Sequence, residues 1–355
     1  MPSTSVLVVD DSALMRRAIK GILGETGEFE VHTARNGVDA LEQLTRLRPD
    51  VVTLDVNMPE MDGLSCLAQI MEQQPTPVVM VSSLTESNAL VTLEALELGA
   101  VDYVPKPGGT VSLNIDEVAT ELVSKVRNAA LARLTRTRGL SARIRAQAWQ
   151  AAVPARPVGR ETAAEPTELV LLGSSTGGPA LLSEILPRLP ATLSAPVVVA
   201  QHIPASFTAA LARRLDEICH LRVHEVNQIL PLRPGNIYIG RGNADVVVAR
   251  RGDGLIVKSV PAGEEYRWHP SVDRLVGSSR RHCDPRRLVC VLLTGMGDDG
   301  ATEMAAVREG GGRTIAEAEE TAVVWGMPGE LARRGGATAV LPSHAIADRL
   351  TDWVR

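Results

Sequence analysis

The sequence predicts an α/β protein of two domains, each a mainly parallel, doubly wound sheet, the second carrying an antiparallel hairpin region. Three observations predict this. Short aliphatic runs such as Val6–Val9, Val51–Leu54 and Val78–Val81 alternate with amphipathic stretches of helical length. Residues 126–166 then lose their large apolar side chains and gain Arg, Ala, Pro and Gly, as in the run PARPVGRETAAEP, which marks a linker. From residue 167 onward strand–helix units resume. The predicted organisation is therefore a domain over 1–125, a linker over 126–166 and a second domain over 167–355.

In the first domain strands are expected at Val6–Val9, Val31–Ala34, Val51–Leu54, Val78–Val81 and Asp102–Val104. Helices are expected at Ser12–Leu23, Gly37–Arg46, Leu64–Gln73, a stretch ending at Leu98, and Ile115–Leu134. In the second, strands are expected at Glu168–Leu172, Val197–Ala200, Val289–Leu293, Arg313–Ala316 and Ala339–Leu341. Helices are expected at Gly177–Leu186, Ala205–Leu215 and Ala301–Glu309. Residues 222–262, including GNIYIG and DVVVARRGDGLIVKSV, read as hairpins.

Composition narrows the function classes. With 45% hydrophobic, 22% charged and 3% aromatic residues, the chain has the make-up of a soluble protein with aliphatic cores. A net charge of −5 offers no basic footprint for nucleic acid, and no recognition helix supports a DNA-binding regulator. The N-terminus lacks the pattern of a signal peptide, and no apolar run approaches membrane-spanning length, so no membrane insertion is expected. Four cysteines without C-x-x-C spacing fit a reducing, cytoplasmic setting rather than a disulfide framework or zinc site.

Asp10 and Asp11 follow the first strand, and Asp55 ends the third in LDVNMP. Sites on such sheets form outside the carboxyl ends of strands. Three carboxylates meeting there repel one another unless a hard divalent cation joins them, and Mg²⁺ suits such a set. Ser82 ends the fourth strand in VMVSS, where its hydroxyl can meet a phosphoryl oxygen, and Lys106 follows the fifth as a cation. Any one of these residues alone is read more simply as a solvated cap. Together, in order on successive strand ends, they resemble the receiver domain of two-component response regulators. The resemblance implies a flavodoxin-like (βα)5 fold, Asp55 as phosphoacceptor, Asp10, Asp11 and Asp55 around Mg²⁺, and Ser82, Tyr103 and Lys106 as the switch. It also implies a histidine kinase as phosphodonor, and allows a cis Lys106–Pro107 bond.

The second domain opens on a strand followed by Gly173-Ser174-Ser175-Thr176-Gly177, a G-x-S-x-G spelling at a helix start. It suits a nucleophile turn at Ser175, with an anion-binding loop as the rival reading. A second strand ends at His202, which alone is more often a structural histidine. A third ends in Gly295-Met296-Gly297-Asp298-Asp299. A serine, an imidazole and a carboxylate on three strand ends are what acyl transfer requires, and the glycine-rich turn can aim N–H groups at an oxyanion. The chain order Ser…His…Asp is not that of the α/β-hydrolases.

The segments GSSTGGP, QHIPASFTAALARRL, HPSVD, LLTGMGDDGA and VVWGMP resemble the catalytic domain of chemotaxis protein-glutamate methylesterases, in which a receiver precedes the hydrolase. That resemblance implies Ser175 as nucleophile, His202 as base, Asp299 rather than Asp298 as orienting acid, and Met296 and Thr176 at the oxyanion. It implies methyl-ester hydrolysis and glutamine deamidation on the cytoplasmic domain of chemoreceptors, with no cofactor for the hydrolytic step. It further implies that an unphosphorylated receiver covers the cleft. A regulatory protein that only binds a partner or nucleotide through its second domain is the rival from another class. Departures from the family pattern occur at Arg241, Asp245, Trp268 and Glu317, which border the expected cleft and bear on substrate choice.

Other features carry plainer readings. His220 and His224 are read as structural rather than metal-binding, and Cys283 and Cys290 as inert thiols. Gly310–Gly312 caps a helix, Trp325 packs, and Asp273 is a second, weaker candidate for the acid.

Overall fold

The computed structural model describes residues 3–83, 86–106, 115–132 and 167–354. Linker residues 133–166 and the Lys106–Pro107 bond lie outside them. The chain divides into two compact units.

The first unit holds strands β1 (Thr4–Val9), β2 (Phe29–Ala34), β3 (Val51–Asp55), β4 (Val78–Ser82) and β5 (Asp102–Pro105), all parallel in the order β2-β1-β3-β4-β5. Helices α1 (Ala13–Glu25), α2 (Gly37–Leu47), α3 (Gly63–Gln73), α4 (Glu86–Leu98) and α5 (Ile115–Ala130) connect or follow them. A parallel strand covered on both faces is mainly apolar, and β3 and β4 are buried along their whole length, with the polar Asp55 and Ser82 only at their carboxyl ends and Thr53 inside β3. Ser12, Asn36 and Asp62 cap the first three helices, each side chain accepting a backbone N–H of the first turn. The last helix ends at Ala130, short of the expected Leu134.

The second unit is a seven-stranded parallel sheet in the order β15-β14-β13-β6-β7-β10-β8. Its strands are β6 (Leu169–Ser174), β7 (Val197–Gln201), β8 (Arg222–Val226), β10 (Asn236–Gly240), β13 (Leu288–Leu292), β14 (Arg313–Glu317) and β15 (Ala339–Leu341). The antiparallel part is a separate small sheet of β9 (Leu230–Pro231), β11 (Ala244–Arg251) and β12 (Gly254–Pro261). The hairpin expectation for 222–262 thus holds for DVVVARRGDGLIVKSV and fails for GNIYIG. The latter is β10, a central strand whose last four residues are buried between β7 and β8. Both its partners run parallel to it, and the β9 segment that separates it from β8 leaves to pair with β12, so turn-rich flanks misstate its neighbours.

Helices α6 (Gly178–Ile185), α7 (Ala205–Ile218) and α9 (Ala301–Glu309) follow the expected pattern. Three others, α8 (Val272–Arg280), α10 (Met327–Arg333) and α11 (Ser343–Trp353), are not among the expected helices; the first is rich in Arg and Ser and the second is only seven residues long. Leu171, Val198, Leu275, Leu292, Met304 and Met327 join one core cluster beneath the sheet's helices. Burying each such side chain is worth about 1.5–3 kcal/mol.

One close approach fixes the end of β3. A Cβ at Gly63 would stand 2.2 Å from the carbonyl oxygen of Asp55, while the Gly63 N–H donates to the Val56 oxygen at 2.9 Å. Gly63→Ala is expected to lower the stability of the first unit by about 1–3 kcal/mol, since backbone must move. Thermal unfolding followed by a probe in that unit checks this; an unchanged transition would show that the approach is not tight.

Candidate functional site

In the first unit β1, β3, β4 and β5 are neighbours, so Asp10, Asp55, Ser82 and Lys106 gather at one sheet edge. The carboxylate oxygens of Asp10, Asp11 and Asp55 come within 4.8 Å of one another. Asp10 and Asp55 are buried, and Asp11 is exposed. The Lys106 ammonium lies 2.7 Å from Asp55 Oδ2 and 3.0 Å from Asp10 Oδ2. Burial lifts the Asp55 carboxyl above its usual range; Lys106 opposes this, and the Asp10 charge adds to it. One ammonium between two buried carboxylates leaves negative charge uncompensated, and the oxygen-only donor set fits a hard cation such as Mg²⁺.

Ser82 is fully buried, and its backbone oxygen accepts from Lys106 N–H at 2.9 Å. Tyr103 is also buried, with the Lys125 ammonium 2.6 Å from its backbone oxygen and 4.6 Å from its ring centroid.

In the second unit β13, β6 and β7 lie side by side. Ser175 follows β6, His202 follows β7, and Asp299 lies in the turn after β13. All three therefore sit at the carboxyl edge where the connections after β6 and after the adjacent β13 run in opposite directions, the place where sites form in such sheets. His202 N–H donates to the Ser174 oxygen and Ser175 N–H to the Thr294 oxygen, both at 2.9 Å. The three strand ends are thus cross-linked through their backbones.

Asp299 is 5% exposed and is the most heavily bonded group of this edge. Its Oδ2 lies 2.8 Å from His202 Nε2 and 2.7 Å from the donating Val272 N–H. Its Oδ1 accepts from Ser271 Oγ at 3.0 Å and from Asp273 N–H at 2.9 Å. Burial disfavours the charge, but these donors and His202 outweigh it and hold the carboxyl below the usual carboxylate range. An ionised carboxylate only accepts, so His202 carries its proton on Nε2. Nδ1 of His202 is buried with no hydrogen-bond partner among the described residues. A buried imidazole nitrogen with a lone pair and no donor is ready to take a proton.

Three further contacts were not foreseen in the sequence. Gln201, 1% exposed, donates through Nε2 to the backbone oxygens of Ser175 (2.9 Å) and His202 (3.0 Å) and accepts from Ser174 Oγ at 2.6 Å. It ties the serine turn to the histidine strand. Trp268 lies nearly parallel to the His202 ring, at 6° with centroids 5.9 Å apart. Asp245, fully buried, accepts from His269 Nδ1 (2.9 Å), Ser271 N–H (2.8 Å), Gly263 N–H (3.0 Å) and Arg274 (2.6 Å). Of these, only Trp268 and Asp245 left a trace in the sequence, as departures from a family pattern.

The CheB methylesterase model matches residues 170–350, and the response regulator receiver model matches residues 6–114. A protein-glutamate methylesterase/protein-glutamine glutaminase from Rhodopseudomonas palustris is 55% identical over 98% of this chain and 97% of its own. One of the same name from Carboxydothermus hydrogenoformans is 48% identical over the full length of both chains. The chain belongs to the CheB methylesterase family. The crystal structure of the Thermotoga maritima CheB methylesterase catalytic domain is similar at 35% identity, with a TM-score of 0.51, covering 53% of this chain and 99% of that one.

Within this CheB-family domain the other candidates fall elsewhere. Asp298 is exposed and pairs with Arg334 at 3.3 Å, away from His202. Thr176 is buried, its oxygen accepting from Thr294 Oγ1 at 2.9 Å. Among the described residues no acceptor takes the Met296 N–H. Glu317 is buried and accepts from Thr294 N–H at 2.8 Å and Thr321 Oγ1 at 2.9 Å, bracing the turn from behind. Trp325 donates to the Glu317 oxygen at 2.8 Å. His224 bonds Asn236 at 2.9 Å, and the acidic trio of the receiver is the one metal-competent group among the described residues. Cys283 and Cys290 are buried; burial pushes the Cys283 thiol up to about 12 and Cys290 up as well, so neither is a thiolate near neutrality.

Asp273 accepts from the Glu303 N–H at 3.0 Å, at the first turn of α9, rather than from His202. Burial raises its carboxyl to about 6; the Glu303 N–H opposes this and the Asp299 charge assists. The folded chain therefore keeps a proton that the unfolded chain has lost between its ordinary 3.8 and about 6, so stability falls as pH rises through that window. Asp273→Asn retains an acceptor oxygen without the charge. It should melt higher than the parent at about pH 8, with the gap closing by about pH 4, and keep its hydrolytic activity. A lower melting temperature at the higher pH, or loss of hydrolysis, would contradict this assignment.

Proposed function

We propose that Ser175, His202 and Asp299 are the hydrolytic triad of a receiver-controlled protein-glutamate methylesterase and glutamine deamidase acting in chemotaxis or a related chemosensory pathway. One observation carries the reading. The buried Asp299 carboxylate holds His202 by Nε2 and leaves Nδ1 open, beside the strand whose end carries Ser175.

The chemistry follows from that orientation. Ser175 Oγ attacks the γ-carbonyl carbon of a methylated glutamyl side chain as its proton passes to His202 Nδ1. The imidazolium is held by the Asp299 charge. Collapse of the tetrahedral species breaks the C–O bond, and methanol leaves with the proton from Nδ1. Water then attacks the acyl-serine, gives a proton to Nδ1, and releases the glutamate side chain as Ser175 regains its proton. With a glutamine side chain the same steps release ammonia. The Met296 N–H, with Thr176 assisting, is placed in the role of donor to the oxyanion.

In the receiver Asp55 is the proposed phosphoacceptor, and Asp10, Asp11 and Asp55 would hold Mg²⁺. When bound, such an ion offsets repulsion between carboxylates and phosphoryl oxygens. Lys106 already sits between Asp10 and Asp55 and would follow a new dianion at Asp55, with Ser82 and Tyr103 answering it. A histidine kinase is the implied phosphodonor, and the cytoplasmic domain of a chemoreceptor the implied substrate, and a cytoplasmic setting goes with that reading. No helix among the described residues is long and apolar enough to cross a membrane.

Ser175→Ala should lower methanol release from methylated receptor fragments by about a thousand-fold or more, with the fold intact. Undiminished release would sink the triad. Asp55→Asn should retain basal hydrolysis and lose its stimulation by a small-molecule phosphodonor; stimulation that persists would place the phosphoacceptor elsewhere.

A further inference from the structure

The segment before α8 does more than lead into a helix. Asp245 has no exposed surface and gathers four donors from it and its surroundings: His269 Nδ1, Ser271 N–H, Gly263 N–H and Arg274. A buried carboxylate with that many donors is worth keeping only if the segment it organises must stand in one place. What stands there is Trp268 on one side and Ser271, Val272 and Asp273 on the other. The latter three donate to Asp299. Both ends of the segment therefore reach His202, one through its carboxylate partner and one directly.

Trp268 touches two parts of the site at once. Its rings lie 6° from the plane of the His202 imidazole, with centroids 5.9 Å apart. Its Cη2 comes so close to Gly297 that a Cβ there would stand 2.6 Å away, and Gly297 has φ +84. The indole thus lies against both the histidine and the turn that carries Met296. The His202 side chain is only 9% exposed, so little water is available to solvate the charge it acquires when it takes the serine proton. An indole face within about 6 Å of a cation supplies negative quadrupole in place of that water, and it does so most when the cation is desolvated.

We propose that Trp268 is a positioning residue for the hydrolysis, stacking on His202 so as to hold the imidazole and offset the positive charge that develops on it as the serine is activated, with Asp245 anchoring the segment that presents it. This rests on His202 being the base. Its effect belongs to the transition state, where the imidazole is charged, and not to ground-state binding, where it is neutral.

The test uses the full chain with a methylated receptor fragment, comparing Trp268→Leu and Trp268→Phe with the parent and with Ser175→Ala. Trp268→Leu removes the aromatic face and should lower kcat on the order of ten-fold with KM within about two-fold. Trp268→Phe keeps a weaker face and should fall between the two. Parental kcat in Trp268→Leu overturns the proposal, as does a change confined to KM, or an equal loss in Leu and Phe. If Trp268→Leu does not fold, Trp268→Phe decides: a lower kcat at unchanged KM supports the proposal, and a parental kcat or a raised KM overturns it. Ser175→Ala separates the two readings. If it stays active, the triad itself fails; if it is dead while the Trp268 variants behave as the parent, only the role of Trp268 fails.

Discussion

The hydrolase unit is organised around one buried carboxylate. Asp299 is charged in a place that disfavours charge, and it stays so because four groups from two segments point at it. A buried carboxylate stripped of its donors would cost several kcal/mol, so those donors are held as firmly as the carboxylate is. The Ser271–Asp273 segment is pinned on one side and His202 on the other. Orienting the imidazole is thus a by-product of satisfying the acid. The ring nitrogen facing the carboxylate here is Nε2, with Nδ1 left unpartnered, whereas in chymotrypsin-like proteases the carboxylate holds Nδ1.

The same logic, with the opposite outcome, governs the receiver unit. There too carboxylates are set at the carboxyl ends of parallel strands, but Asp10 and Asp55 have one ammonium between them rather than a full set of donors. Burial raises the Asp55 carboxyl where the donors of Asp299 depress theirs. One site is closed and preorganised, suited to steering a proton. The other is under-compensated, suited to a cation and to a change of charge. Two sheets of one architectural style differ in chemistry because of the number of donors around an acid, not because of the fold.

The parts of this that were legible in the sequence are those dictated by local rules. Strands buried on both faces are continuous aliphatic runs, so β1, β3, β4, β6, β7 and β13 could be read directly, and the chemistry-bearing residues follow them at once. GNIYIG could be read as a strand but not assigned its neighbours, because β8, close by in sequence, pairs with it in parallel rather than as a hairpin, and β7 comes from farther back in the chain. The choice between Asp298 and Asp299 came from family resemblance and not from spacing; in the structure it is a matter of one turn, which points Asp298 to solvent and Arg334 and Asp299 inward. Gln201 looked like an ordinary strand residue, and its clamp on Ser175 exists only once β6 and β7 are paired. Asp245 and Trp268 were visible as unusual residues without a reason; the reason is the segment between β12 and α8, which Asp245 ties down and which carries Trp268, closed by contacts that no periodicity encodes.

The hydrolase unit turns on the orientation of His202, with Nε2 held by Asp299 and Nδ1 left without a partner. Nitrogen-15 NMR of the imidazole in the resting full-length chain near neutral pH, assigned by comparison with a His202→Gln variant, reads this directly. A protonated Nε2 and an unprotonated, pyridine-like Nδ1 are expected. A resting tautomer with the proton on Nδ1 would contradict it.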